Sequence, residues 1–253
     1  MPRNETVESF RKGLQVIRTF DGHKAQTITD VSARGGMTRA AARRFLLTLC
    51  DVGLAKTDGK HFELTPAILG IGQTFLSGMS ELEIVRDTLF ELTRRIGESA
   101  SSAMLDGRDI VYVARSPARH RILAVGLGVG TRLPAHATSM GQALLAQLHP
   151  RELDRYLEST RLERFTSYTI TGKAELRARL ALVRQDGFAL VSEELELGLR
   201  SIAVAIMRPG GGPSLAINLS AQAGRVTSEE MRSTFLPALL DAAHSISVAL
   251  GRG

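Results

Sequence analysis

The sequence predicts an α+β chain of two units: a small helical unit closed by a hairpin, and a larger one of hairpin strands interleaved with long helices. Three observations carry that expectation. Two early segments with apolar residues at helical spacing are divided by a Gly-Gly-Met turn. An Asp-Gly dipeptide then separates two short strand-like runs. Beyond residue 80, strand-like and helical stretches alternate to the end of the chain. The 253 residues, 43% hydrophobic and 23% charged, suffice for soluble globular domains of roughly 70 and 170 residues.

In the first unit, Phe10, Leu14, Ile17 and Phe20 form the apolar stripe of an opening helix. Two further helices follow. Thr29 is the expected N-cap of the first, with Ile28 placed to staple against Ala33. Gly35 and Gly36 make the corner, Thr38 caps the next helix, and Met37 can staple against Ala42. A short helix, a Gly turn and a second helix make up a helix-turn-helix. In that second helix Ala42, Phe45, Leu46 and Leu49 share the core side, and Arg39, Ala40, Arg43 and Arg44 point elsewhere. Arg39 and Arg43, four residues apart, are surface neighbours, and small Ala40 lets the helix sit deep in a groove. Asp58-Gly59 then turns a hairpin between residues 54–57 and 60–64, with Lys60 and His61 near its tip. Helix, helix-turn-helix and hairpin together read as a winged helix-turn-helix over residues 1–66.

Charge agrees with that reading. Residues 1–66 hold eleven Lys and Arg against seven Asp and Glu, a net +4 of the chain's +6. A compact basic segment suits a polyanion such as double-stranded DNA, because neutralising phosphates releases counterions.

Residues 67–79 read as a short apolar linker helix suited to a dimer contact. The second unit, residues 80–253, opens with a helix carrying Leu82, Val85, Leu89, Leu92 and Ile96. Strands fit residues 99–105 and 110–115 around an Asp106-Gly107 turn, then 121–125, 188–192, 201–207 and 214–219. Gly210, Gly211 and Gly212 join the last two. Helices fit residues 140–147, 152–157, 174–185 and 228–250. This is an antiparallel sheet covered by helices.

No catalytic constellation emerges. The GLGVG run at 126–130 lacks both the GK[ST] ending of a phosphate loop and the strand-to-helix setting of a dinucleotide fingerprint. The six histidines form no metal-ligand spacing, and no nucleophile-elbow motif is present. No catalytic residue, metal or cofactor is therefore expected, with His136 or Glu193 as the acid/base of the competing enzymatic reading. Cys50 is the single cysteine, there is no signal-peptide core, and no apolar run spans a bilayer, so a reducing cytoplasm is expected. Ser139 and Met140 begin a helix whose free N–H groups suit a carboxylate, though the pattern alone favours Ser139 as a plain N-cap.

The order of the segments resembles the IclR family of bacterial regulators across essentially the whole chain. SFRKGLQVIRTF, TRAAARRFLLTLCDVGLAK, DGKHFELTPAILGIG, IVYVARS, GTRLPAHATSMGQALLA and EELELGLRSIAVAI carry the likeness. Within the family it most resembles the subgroup controlling aromatic-acid catabolism: protocatechuate, 4-hydroxybenzoate or β-ketoadipate regulators. The resemblance implies a GAF-like α/β effector-binding domain at the C-terminus, assembly as a homodimer or tetramer, and a small-molecule carboxylate effector. It places the effector carboxylate on the amides of Ser139 and Met140. Ser201, Asn218 and Ser220 would complete the polar side, and Ile122, Val125, Leu133 and Leu199 the apolar wall. Val191 stands where relatives that bind 2-oxo acids have an acid, and Ser201 where they have a cysteine. Losing the acid makes the pocket more apolar and favours a benzoate-like effector over a 2-oxo acid, the alternative kept open.

Overall fold

The structure is a computed structural model of the full chain and describes residues 6–78, 81–118, 127–207 and 212–249. It divides into two compact units, residues 1–79 and 80–253.

In the first unit, helix α1 (Glu8–Arg18) is followed by β1 (Gln26–Thr27), α2 (Ile28–Gly35), α3 (Arg39–Asp51), β2 (Ala55–Thr57), β3 (His61–Leu64) and α4 (Ile68–Ser77). Val16, Phe20, Val31, Ala42, Leu46, Leu49, Ala55 and Phe62 build its core. The stripe of α1 is rotated from the expected one: Val16 is fully buried, and Phe10, 67% exposed, and Leu14 lie on the outside. The 13–16–20 face turns inward instead, with Gly13 toward the Phe45 ring.

Thr29 does not cap α2. Thr27 does, in a capping box: its hydroxyl accepts from Asp30 N at 3.3 Å, and Asp30 Oδ2 accepts from Thr27 N at 2.8 Å. Thr29 sits inside the first turn, exposed. Gly36 ends the helix in the left-handed region at φ 58°, and Thr38 caps α3 by accepting from Ala41 N at 3.2 Å. The expected hairpin is part of a three-stranded antiparallel sheet, order β1-β3-β2, in which the two-residue β1 was not foreseen.

The second unit contains α5 (Glu81–Ile96), β4 (Ser99–Asp106), β5 (Asp109–Ser116), β6 (Arg132–Pro134), a 3₁₀ turn (Ala135–Ala137), α6 (Ser139–Ala146), α7 (Pro150–Ser159) and α8 (Lys173–Asp186). Then come β7 (Ala189–Ser192), β8 (Leu199–Met207), β9 (Pro213–Gln222), α9 (Ser228–Glu230), a π turn (Met231–Phe235) and α10 (Leu236–Ala249). The last three form the stretch expected as one helix. Pro237 cannot donate to residue 233, and the wider turn stands just before it. The β4–β5 pairing opposes Asp106 to Asp109, so the turn is Gly107-Arg108, one residue beyond the expected position. The strand expected at 121–125 and the Gly210-Gly211 part of the β8–β9 connection fall outside the described residues.

All six strands pair antiparallel in the order β6-β5-β4-β9-β8-β7. The two faces of the sheet differ in side-chain size. Ile202, Val204 and Ile206 of β8 and Leu215, Ile217 and Leu219 of β9 pack with α5 and α10. On the face that receives α6 and α8, the same strands present Ser201, Ala203, Ala205, Ala216, Asn218 and Ser220. Large residues alternate with small ones, so α6 approaches the sheet closely where the small side chains leave room.

Candidate functional site

Two regions can carry function. The first is the solvent face of α3. Ala42, Leu46 and Leu49 are buried beneath it, and Thr38, Arg39, Ala40, Arg43 and Arg44 are exposed at its N-terminal half. No acidic residue occupies its first turn, so the positive end of the helix dipole and the arginines add. Among the described residues none of the three guanidinium groups is held in an ion pair. Unpaired, they are available to phosphates or guanine edges.

The wing differs from expectation at its tip. Thr57 pairs with Phe62 and Asp58 N donates to His61 O at 3.2 Å, so Gly59-Lys60 turn the chain, one residue beyond the expected pair. Asp58 Oδ1 accepts from the N–H groups of His61 at 2.6 Å and Lys60 at 2.8 Å. Those bonds and the His61 ring hold Asp58 down at about 2. His61 belongs to β3, paired with Thr27 and turned to Asp58 at 3.2 Å, so of the two expected tip residues only Lys60 stands at the turn.

The second region is a cavity between the sheet and the N-terminus of α6. Of the ten residues expected to bind an effector, Leu133, Ser139, Met140, Val191, Leu199, Ser201, Asn218 and Ser220 line it together. Ile122 and Val125 lie outside the described residues. The N-cap of α6 is Thr138, whose hydroxyl accepts from Gly141 N at 3.2 Å, so Ser139 is not the cap and its hydroxyl is left over. That hydroxyl belongs to a residue only 1% exposed and has no partner among the described residues. Asn218 Oδ1 is likewise buried and unpartnered, its amide being spent on Ser220 Oγ at 2.9 Å. Nor does any described acceptor take the N–H of Ser139 or Met140.

Gly141 makes this geometry possible. A Cβ there would fall within the backbone of Ala135, so only glycine lets the 3₁₀ turn fold under the start of α6. The cavity's empty volume, open space at its mouth included, is about 400 Å³.

Tyr112, Ala137, Thr138, Glu194 and Leu195 also line the cavity and were not foreseen. Burial raises the Tyr112 hydroxyl to about 12. Glu194 corrects the expectation of a pocket without an acid: Val191 replaces one carboxyl, but another stands three residues on. Its Oε2 accepts from Gln142 Nε2 at 2.9 Å, and burial pushes its carboxyl up to about 7 against the pull of Arg179. Its sequence signal was weak, since Glu193, Glu194 and Glu196 sit together in one loop and nothing local says which turns inward.

The residues of the enzymatic reading are engaged elsewhere. His136 Nε2 meets Glu163 O at 3.0 Å, burial lowers its pKa, and it faces a separate groove with Arg108, Arg161 and Phe165. Glu193 Oε1 accepts from Gly198 N at 2.8 Å. Among the described residues no group of three His, Cys, Asp or Glu is arranged to hold a metal ion, and no helix is long and apolar enough to cross a membrane.

The chain is similar to known proteins along most of its length. The IclR helix-turn-helix domain matches residues 9–59, and the IclR C-terminal domain of bacterial transcriptional regulators matches residues 73–248. The Pca regulon regulatory protein of Pseudomonas putida is 40% identical over 241 residues, 95% of this chain and 83% of that protein. A crystal structure from Rhodococcus sp. RHA1, solved as a candidate transcriptional regulator, superposes with a TM-score of 0.86 at 44% identity, covering 97% of this chain and 99% of that one. The inducer-binding domain of a double mutant of the Acinetobacter transcription factor PobR, in complex with 3-hydroxybenzoic acid, is 33% identical with a TM-score of 0.61, covering 68% of this chain and 97% of that one. The chain belongs to the IclR family of bacterial transcriptional regulators.

Proposed function

We propose that this chain is the ligand-controlled switch of a catabolic operon. Two copies of α3 would sit in successive major grooves of a pseudo-palindromic operator, with Lys60 at each wing tip on the backbone. An aromatic or related carboxylic acid would fill the cavity at the start of α6. The observation that carries the reading is the set of unclaimed polar groups there: the N–H groups of Ser139 and Met140, Ser139 Oγ and Asn218 Oδ1. A carboxylate accepts from the two N–H groups and the Ser139 hydroxyl at this helix N-terminus with a favourable dipole, and Asn218 Oδ1, an acceptor, is left to take a hydroxyl of the ligand. Leu133, Val191, Leu195 and Leu199 offer a ring the apolar contact, which a small 2-oxo acid cannot use. The hydroxybenzoic acid held by the PobR domain is of this class.

Binding would shift the leucine walls of the cavity and reset the spacing or orientation of the DNA-binding units. Assembly as a homodimer or tetramer is supported by the exposed apolar side chains of Leu69, Ile71 and Phe75 on α4, and the working compartment would be the cytoplasm. A thermal-shift panel of benzoates, hydroxybenzoates, dicarboxylates and 2-oxo acids tests the reading. A hydroxybenzoate at a hundred times its Kd should add roughly 2.7 kcal/mol. A larger shift with 2-oxo acids would overturn the aromatic assignment, and no shift with any acid would remove the cavity as an effector site.

A further inference from the structure

Glu194 is the one charged side chain among the described residues that line the cavity, and it is 3% exposed. Its surroundings leave the charge poorly compensated. From α6 it receives the neutral amide of Gln142, whose other N–H bond goes to His136 O at 2.9 Å. From α8 come Arg179, with Nη2 3.9 Å from Oε1 and itself well exposed, and the opposing charge of Glu175. From the loop before α8, Thr166 and Thr169 spend their hydroxyls on the backbone oxygens of Glu193 and Glu194, leaving the carboxyl alone. Gln142 Oε1, buried beside it, has no partner among the described residues.

A carboxylate ligand would bring a second negative charge into this space. With no cation in the described lining, two like charges that share one buried cavity repel each other strongly. Resting on the carboxylate-binding reading of the cavity, we infer that Glu194 is a ligand-site residue that takes up a proton when the effector anion binds. The ligand keeps its charge on the amides of α6, and the proton arrives from solvent onto the Glu194 carboxyl. Gln142 sets this behaviour, because a cation at that position would hold Glu194 ionised with or without ligand.

The sign follows from the free carboxyl titrating near pH 7. Below that pH Glu194 already carries its proton and binding releases or takes up none. Above it, each complex must acquire one proton, and affinity falls as pH rises. Calorimetric titration of the full chain with 4-hydroxybenzoate, in pairs of buffers with different ionisation enthalpies, reads the uptake directly. Close to one proton per ligand is expected at pH 8 and close to none at pH 6, with Kd rising about tenfold between them. Glu194→Gln and Gln142→Lys should each bind without uptake and with a flat pH profile. Binding by the unaltered chain without uptake at pH 8, or uptake that survives in Glu194→Gln, overturns the role of Glu194 and leaves the cavity reading standing. No binding by 4-hydroxybenzoate or the other acids of the panel overturns the cavity reading itself.

Discussion

Replacing Ser139 by alanine should stabilise the free protein and weaken the complex. The Ser139 hydroxyl is buried without a partner, and leaving such a group unsatisfied costs about 1–3 kcal/mol. Thr138 already caps α6, so no capping bond is lost, and alanine is the better helix former at the first helical position. Taking the low end, Ser139→Ala should gain about 1 kcal/mol and raise the melting temperature of the second unit by about 2–4 °C. With a carboxylate bound, the same hydroxyl donates to a charged acceptor, a bond worth about 1.5–3 kcal/mol. Its loss should raise Kd about 10- to 150-fold. Scanning calorimetry without ligand and titration with 4-hydroxybenzoate measure the two effects. A serine with only a structural task would lower stability on removal and leave affinity alone. A lower melting temperature for free Ser139→Ala, or an unchanged Kd, would falsify the reasoning.

Three other outcomes are expected. The Arg43→Ala, Arg44→Ala double variant should lose at least about 30-fold in operator affinity and flatten the salt dependence by about one unit of log–log slope for each arginine that grips a phosphate, with its circular dichroism and oligomeric state unchanged; gel shifts at several salt concentrations check this. Gly141→Ala pushes a Cβ into the Ala135 backbone, so it should cost about 1–3 kcal/mol, lower the melting temperature by about 2–10 °C and abolish the ligand-induced shift. Because burial raises the Glu194 carboxyl from 4.5 to about 7, the native state holds the proton longer than the unfolded chain; stability should fall as pH rises through that window, and Glu194→Gln should make the profile flatter in chemical denaturation from pH 4.5 to 8.

Much of this molecule was legible because local chemistry and tertiary demand agree. The Gly36 corner, the Thr38 cap and the arginines of α3 could be read one turn at a time, and the stripe from Leu82 to Ile96 is a plain amphipathic helix. The errors came where a second partner decides. Thr29 and Thr27 are both acceptable caps until Asp30 closes the box with Thr27. Phe10 and Phe20 share one helical stripe in the sequence, and only packing of the Val16 face on α2 and α3 decides that Phe20 is buried and Phe10 exposed. Two residues of β1 carry no period of their own and exist because β3 offers an edge. In the cavity, the resemblance supplied the residues on strands and on α6, where position fixes direction. It missed Glu194, whose inward turn depends on a loop tied down by Thr166 and Thr169.

The most direct test of the ligand-controlled cavity is a crystal structure of the full chain with 4-hydroxybenzoate. The expected density places the carboxylate oxygens within about 2.7–3.1 Å of the amide nitrogens of Ser139 and Met140, with Ser139 Oγ donating and the ring against Leu133 and Leu199. A ligand seated instead in the groove of Arg108 and Arg161, or a complex in which those amides remain without an acceptor, would contradict it.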